Sequence, residues 1–110
     1  MRFYKHLYLS ERYRANPNVI KTKLRLRKFF FSMNKVMLIC LCENTDELEF
    51  FQAGILLQQH YKKKKVTIIG IAENRESAIE LIEEIVSDSM KTPYGCKLKE
   101  YLKAKEAGLI

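Results

Sequence analysis

Long apolar runs are missing from this 110-residue chain: no segment approaches about 18 consecutive apolar residues, the length that marks a membrane-spanning helix, so no membrane association is expected. Its four glycines do not gather into a glycine-rich loop after either of its strand-like apolar runs. That argues against a phosphate cradle of the nucleotide-binding kind. Its three cysteines cannot all pair, and Cys40 and Cys42, two apart in an apolar run, share one face of a strand without bridge geometry. They show neither CxxC spacing nor a neighbouring histidine, so buried, inert thiols in a reducing compartment are expected, with Cys96 the exposed thiol and no metal or other cofactor. The only histidines, His6 and His60, have no serine or cysteine nucleophile at a recognisable elbow, which leaves no triad. The opening Met-Arg-Phe-Tyr-Lys-His lacks the apolar run of a secretory signal, and the expected location is cytoplasmic.

What is present is a repeat of punctuation. Ile39-Cys-Leu-Cys-Glu43-Asn44 and Ile69-Gly-Ile-Ala-Glu73-Asn74 lie 30 residues apart, and each runs into a helical pattern. One strand plus one helix fills that spacing, so the register predicts consecutive βα units feeding a parallel sheet. Phe3 to Leu9 reads as a first strand, followed by a polar loop from Ser10 to Asn16 and by Pro17, suited to the first helical position with Asn16 as cap. The stretch from Lys21 to Arg27 alternates with period two yet opens like a helix; the crossover needed between parallel strands favours helix. Lys35 to Cys42 is nearly continuous in apolar residues, as in a strand covered on both faces.

A second helix is predicted from Thr45 to about Tyr61, with Asn44 as cap and Glu47 three residues later. Val66 to Ala72 is the third strand. The clearest helix spans Arg75 to Met90, with Ala78, Leu81, Ile82, Ile85 and Val86 on one face and Glu76, Glu80, Glu83 and Glu84 opposite. Thr92 to Cys96 is a turn, and Lys97 to Ala107 a short basic helix whose Tyr101 and Leu102 could dock on the sheet. The chain is therefore expected to be a single α/β domain over residues 1–110, with a three-stranded, mainly parallel sheet in βαβαβα order and a short C-terminal helix. Strand order 2-1-3 is preferred to 1-2-3.

His6-Leu-Tyr-Leu-Ser10, the strand exit Leu38-Ile-Cys-Leu-Cys-Glu43-Asn44 and the exit Gly70-Ile-Ala72 together resemble small α/β proteins of low-GC Gram-positive bacteria whose role is uncharacterised. The resemblance implies a bacterial α/β protein and carries no activity with it.

In such a sheet Glu43, Asn44, Glu73 and Asn74 would all emerge at the carboxyl edge, where open α/β sheets bind ligands. They are the candidate ligand-binding residues, although both asparagines suit helix caps, and the neighbouring carboxylates would repel an anion. Charge is unevenly spread: residues 1 to 36 carry ten Lys and Arg against one acid, and residues 71 to 90 one against six. In the expected topology Arg27, Lys28, Lys35 and the run Lys62, Lys63, Lys64 and Lys65 gather near the amino edge. With Tyr61 and Phe29 to Phe31 nearby they are candidates for holding nucleic acid or another polyanion, against the plainer reading of solvated charge. Phe29-Phe30-Phe31 and Phe50-Phe51 suit a core or a partner interface, and a small sheet with two open edges points to a homodimer. The leading functional reading is a non-enzymatic protein-interaction protein that self-associates. The alternatives are a polyanion-binding module and a small enzyme built at the carboxyl edge.

Overall fold

The computed structural model describes residues 2–26, 36–41, 48–53 and 67–110. Strands β1 (Arg2–Leu9), β2 (Met37–Leu41), β3 (Leu48–Gln52) and β4 (Thr67–Ala72) form one mixed sheet in the order β1-β4-β2-β3. Among the described residues the helices are α1 (Glu11–Arg14), α2 (Pro17–Leu26), α3 (Arg75–Met90) and α4 (Leu98–Glu106). Only β1 and β4 are parallel; β2 runs antiparallel to both β4 and β3.

This corrects the expected three-stranded, mainly parallel βαβαβα arrangement in two ways. Leu48–Gln52, expected inside a helix from Thr45 to Tyr61, is a strand. Leu48 and Phe50 turn towards one core cluster while Glu49 between them is exposed, the period of two of a half-covered strand. An added strand beside β2 also removes the need for β2 and β4 to be parallel, and the 30-residue repeat marks similar strand exits rather than two equal βα units. Neither expected order is found either: the last strand of the chain lies between β1 and β2. The most completely buried run, Ile68 to Ala72, takes the interior of the sheet, where pairing on both sides satisfies its backbone.

Alternation sorts the strands between two layers. Tyr4, Tyr8, Ile39, Ile69 and Ala72 face α3 and α4, meeting Ala78, Leu81, Ile85, Tyr101 and Leu102. Leu38, Cys40, Ile68 and Ile71 face α2, meeting Ile20 and Leu24, with Phe3, Leu7 and Tyr13 at the margin. Fully burying an Ile or Leu contributes about 1.5–3 kcal/mol, so covering β4 on both faces is the largest stabilising feature of the fold. Helix is present over the ambiguous stretch up to Leu26, and Pro17 is its first residue. The α3 face is buried as expected at Ala78, Leu81 and Ile85, but Val86 is exposed. Cys40 is buried and Cys96 exposed, both as free thiols.

One irregularity decides how β4 fits. Ile39 pairs with Gly70 and Cys40 with Ile68, so Ile69 is an extra residue on β4 against β2. The bulge leaves Ile69 and position 70 on the α3 side together. A Cβ at position 70 would lie 3.0 Å from Ile39 Cδ1 and 3.3 Å from the Tyr8 carbonyl oxygen, so a side chain there needs Ile39 and the β1 backbone to give way by a few tenths of an ångström. Gly70→Ala is expected to lower stability by about 1–3 kcal/mol through overpacking, seen as a lower melting temperature with an unchanged far-UV spectrum. An unchanged midpoint would show that Ile39 can step aside.

Candidate functional site

Leu9 and Ala72 end the parallel pair β1 and β4 at the same edge. From there the chain leaves β1 for the α2 layer and leaves β4 for α3 on the opposite layer. Such a divergence is the topological switch point at which open α/β sheets commonly bind ligands. Of the residues expected there, Glu73 and Asn74 are in place. Glu43 and Asn44 lie outside the described residues; the last described residue before them, Leu41 at the end of β2, is opposite Thr67, at the start of β4.

Asn74 is a helix cap. Its backbone is extended, and its side-chain oxygen accepts the Ser77 N–H at 2.8 Å, satisfying one of the first free donors of α3. Burial pushes the Tyr13 phenol's pKa up there, with Arg12 opposing the rise and Glu73 adding to it. Ser10, which the sequence did not single out, is buried there with an Oγ that makes no hydrogen bond among the described residues, while its N–H donates to the Ile71 carbonyl at 3.1 Å.

Among the described residues the densest polar constellation sits along β1 instead, beside an open groove of about 440 Å³. The Tyr8 hydroxyl donates to Asp88 Oδ2 at 2.8 Å and accepts from Lys105 Nζ at 3.3 Å. The Lys105 ammonium also lies 5.0 Å from the Tyr8 ring centroid and 5.9 Å from that of Tyr101, within cation–π range. Burial is the main cause that raises the Tyr8 pKa, followed by Tyr101 and Asp88. The phenol therefore keeps its proton at neutral pH, as a donor that ties β1 to α3 and α4. Tyr4 does the same one turn of pleat away: its hydroxyl donates to the Leu102 carbonyl at 2.5 Å, and burial again raises its pKa. Asp88 and Lys105 are 80 and 97 residues from Tyr8, so no local signal could reveal the cluster. His6 lines the groove and stacks edge-on to Tyr4 with centroids 6.1 Å apart; among the described residues no serine or cysteine lines it with them.

A third feature is the outer face of α3. Ile79, Val86 and Met90 are 41%, 37% and 59% exposed, and their spacing sets them in one stripe beside the half-buried Ile82. Glu76 and Glu83 border it. By contrast, two backbone groups of β1 are taken by side chains: Lys5 N–H donates to Glu106 Oε2 at 2.7 Å, and Arg14 Nε donates to the Leu9 carbonyl at 2.9 Å. Side chains thus blunt this edge against further strand pairing.

The polyanion candidates Arg27, Lys28, Lys35, Lys62, Lys63, Lys64 and Lys65 lie outside the described residues, as do His60 and Phe29 to Phe31. Among the described residues no group of three or more His, Cys, Asp or Glu could hold a metal ion, and no helix is long and apolar enough to cross a membrane. No protein-family model, curated protein or solved structure matches this chain.

Two outcomes test these assignments. Asn74→Ala should cost about 0.5–2 kcal/mol, read as a lower denaturant midpoint with unchanged slope. The tyrosines set an alkaline limit: with folded pKa values above the unfolded value of about 10, Tyr4 and Tyr8 stabilise the fold below that pH and lose the contribution as pH rises past it. Absorbance titration of the six tyrosines should show these two ionising only as the protein unfolds, and Tyr8→Phe should flatten the alkaline loss of stability.

Proposed function

We propose that this chain is a non-enzymatic cytoplasmic interaction protein that pairs with a second copy of itself through the outer face of α3. The observation that carries the reading is the exposed stripe of Ile79, Val86 and Met90, three large apolar side chains aligned on one helix. A second copy supplies the matching stripe. On the β1 side of the sheet two backbone groups are already taken by side chains, which favours the helix face as the contact.

The non-enzymatic part of the reading draws support from how the described polar groups are spent. Asp88 holds the Tyr8 hydroxyl, Asn74 caps α3, and Glu106 holds Arg2 and the Lys5 N–H. The opposite directions of β2 and β4 also weigh against a small enzyme assembled from both Glu-Asn exits at one carboxyl edge. A second reading, nucleic-acid binding, draws on the +7 charge and the run Lys62 to Lys65. A mobility shift with unrelated duplexes at about 0.15 M salt would support it, and no shift at micromolar protein would remove it.

Light scattering across the micromolar range should give a mass near twice 13.0 kDa. The Ile79→Lys, Val86→Lys double variant should remain folded and dissociate at least tenfold more readily, about 1.4 kcal/mol. A monomer at every concentration rejects the reading, and so does a dimer indifferent to both substitutions.

A further inference from the structure

Met90 closes α3 and carries the most exposed side chain of its apolar stripe, at 59%. Ile79, Val86 and Met90 stand at positions i, i+7 and i+11, so the thioether continues the line of the two branched side chains. This exposure does not come from a frayed helix end. Lys91 N–H donates to the Ser87 carbonyl at 3.2 Å, which carries the helical backbone past Met90. The buried Ser89 hydroxyl donates to the Gly95 carbonyl at 2.5 Å, and the Thr92 hydroxyl donates to the Ser89 carbonyl at 2.6 Å. The turn that follows α3 is thereby tied to the last turn of the helix, with Met90 on its outer side.

A thioether is the one side chain of the stripe that can become polar without a change of residue. A peroxide supplies that change. The Met90 sulfur attacks one oxygen of the O–O bond, that bond breaks, and an S–O bond forms. The second oxygen leaves as hydroxide and takes up a proton to become water, so sulfur loses two electrons and the peroxide gains two. The product is a sulfoxide, a polar group standing in an apolar line. In solvent its oxygen is hydrated. Against the stripe of a second copy it gives up that water, and Ile79, Ile82 and Val86 carry no side-chain donor to replace it. The other sulfurs among the described residues differ: Met37 is half-buried and packs against the core, Cys40 is buried, and Cys96 is exposed in the turn after α3.

We infer that Met90 is a peroxide-sensitive switch on self-association: oxidation to the sulfoxide releases the pair, and a dithiol-dependent sulfoxide reductase restores it. The reduction returns the oxygen as water while the dithiol becomes a disulfide. The inference rests on pairing through the outer face of α3 and adds its control. A thioether covered by a second copy is also out of reach of peroxide, so Met90 oxidises more slowly as protein concentration rises.

The test uses the full-length protein carrying Cys96→Ser, which takes the exposed thiol out of the reaction, treated with hydrogen peroxide. Peptide mass spectrometry follows oxygen addition at Met90, and light scattering follows the pair. The oxidised protein is expected to dissociate about tenfold more readily with an unchanged far-UV spectrum, and to pair again after methionine sulfoxide reductase and dithiothreitol. Met90 should oxidise faster below the concentration at which the pair dissociates than above it. In Met90→Leu, dissociation should be the same before and after peroxide. Failure of Met90 to take up oxygen overturns the inference, and so does oxygen on Met90 with pairing unchanged. A loss of pairing in Met90→Leu equal to that of the parent places the effect at another residue, and loss of the far-UV spectrum assigns it to unfolding; both overturn it. A monomer before any peroxide rejects the pairing and the switch together, a result distinct from a pair that ignores oxidation.

Discussion

Strand β4 is bonded to a neighbour on each side and covered on each face, and the remainder of the molecule is arranged around that double burial. A strand so placed has no polar face to give up, which is why Ile68 to Ala72 carries no charged or hydroxyl side chain. The bulge at Ile69 is the adjustment that lets it serve two neighbours of opposite direction. By putting Ile69 and Gly70 on the same side, it returns Ile71 to the α2 layer and Ala72 to the α3 layer, and keeps Leu38 and Cys40 in phase with Ile68 and Ile71. Gly70 is therefore tied to the approach of Ile39 and of the β1 backbone, not to any ligand loop.

The elements that could be read from the sequence are those whose burial pattern is set within the element. Helix α3 shows a 3.6-residue apolar face with Asn74 at its start, α4 carries Tyr101 and Leu102 inward, and β1, β2 and β4 are apolar runs of strand length. What escaped was set by partners distant in the chain. The alternation Leu48-Glu49-Phe50 is too short to outweigh a capping pattern, and only pairing with Met37–Leu41 makes it a strand. Direction is likewise invisible locally: Ile39 and Ile69 have near-identical surroundings in sequence, yet their strands run opposite ways. A repeat records similar local needs and says nothing of how two copies are joined.

The same limit applies to the functional residues. Asn74 was legible because a cap is a local device, satisfied by Ser77 three residues on. Tyr8, Asp88 and Lys105 come from β1, α3 and α4, and Glu106 reaches Arg2 across nearly the whole chain. The basic residues that charge counting singled out lie outside the described residues, and the common amino edge they were assigned to depended on a parallel sheet that is not found.

Glu106 ties the last described helix to the first strand. Its carboxylate accepts the Lys5 N–H through Oε2 and pairs with Arg2 through Oε1, so one side chain of α4 engages both the backbone and a side chain of β1. The Arg2 hydrogen bond is the main cause that holds the Glu106 pKa below the usual carboxylate range, so the pairing persists at neutral pH. The Tyr4 hydroxyl on the Leu102 carbonyl adds a third polar tie between the same two elements, and a fourth comes from Lys105 on the Tyr8 hydroxyl. Helix α4 is thus held on β1 by directional bonds as well as by the burial of Tyr101 and Leu102, which fixes its register along the strand where apolar contact alone would let it slide.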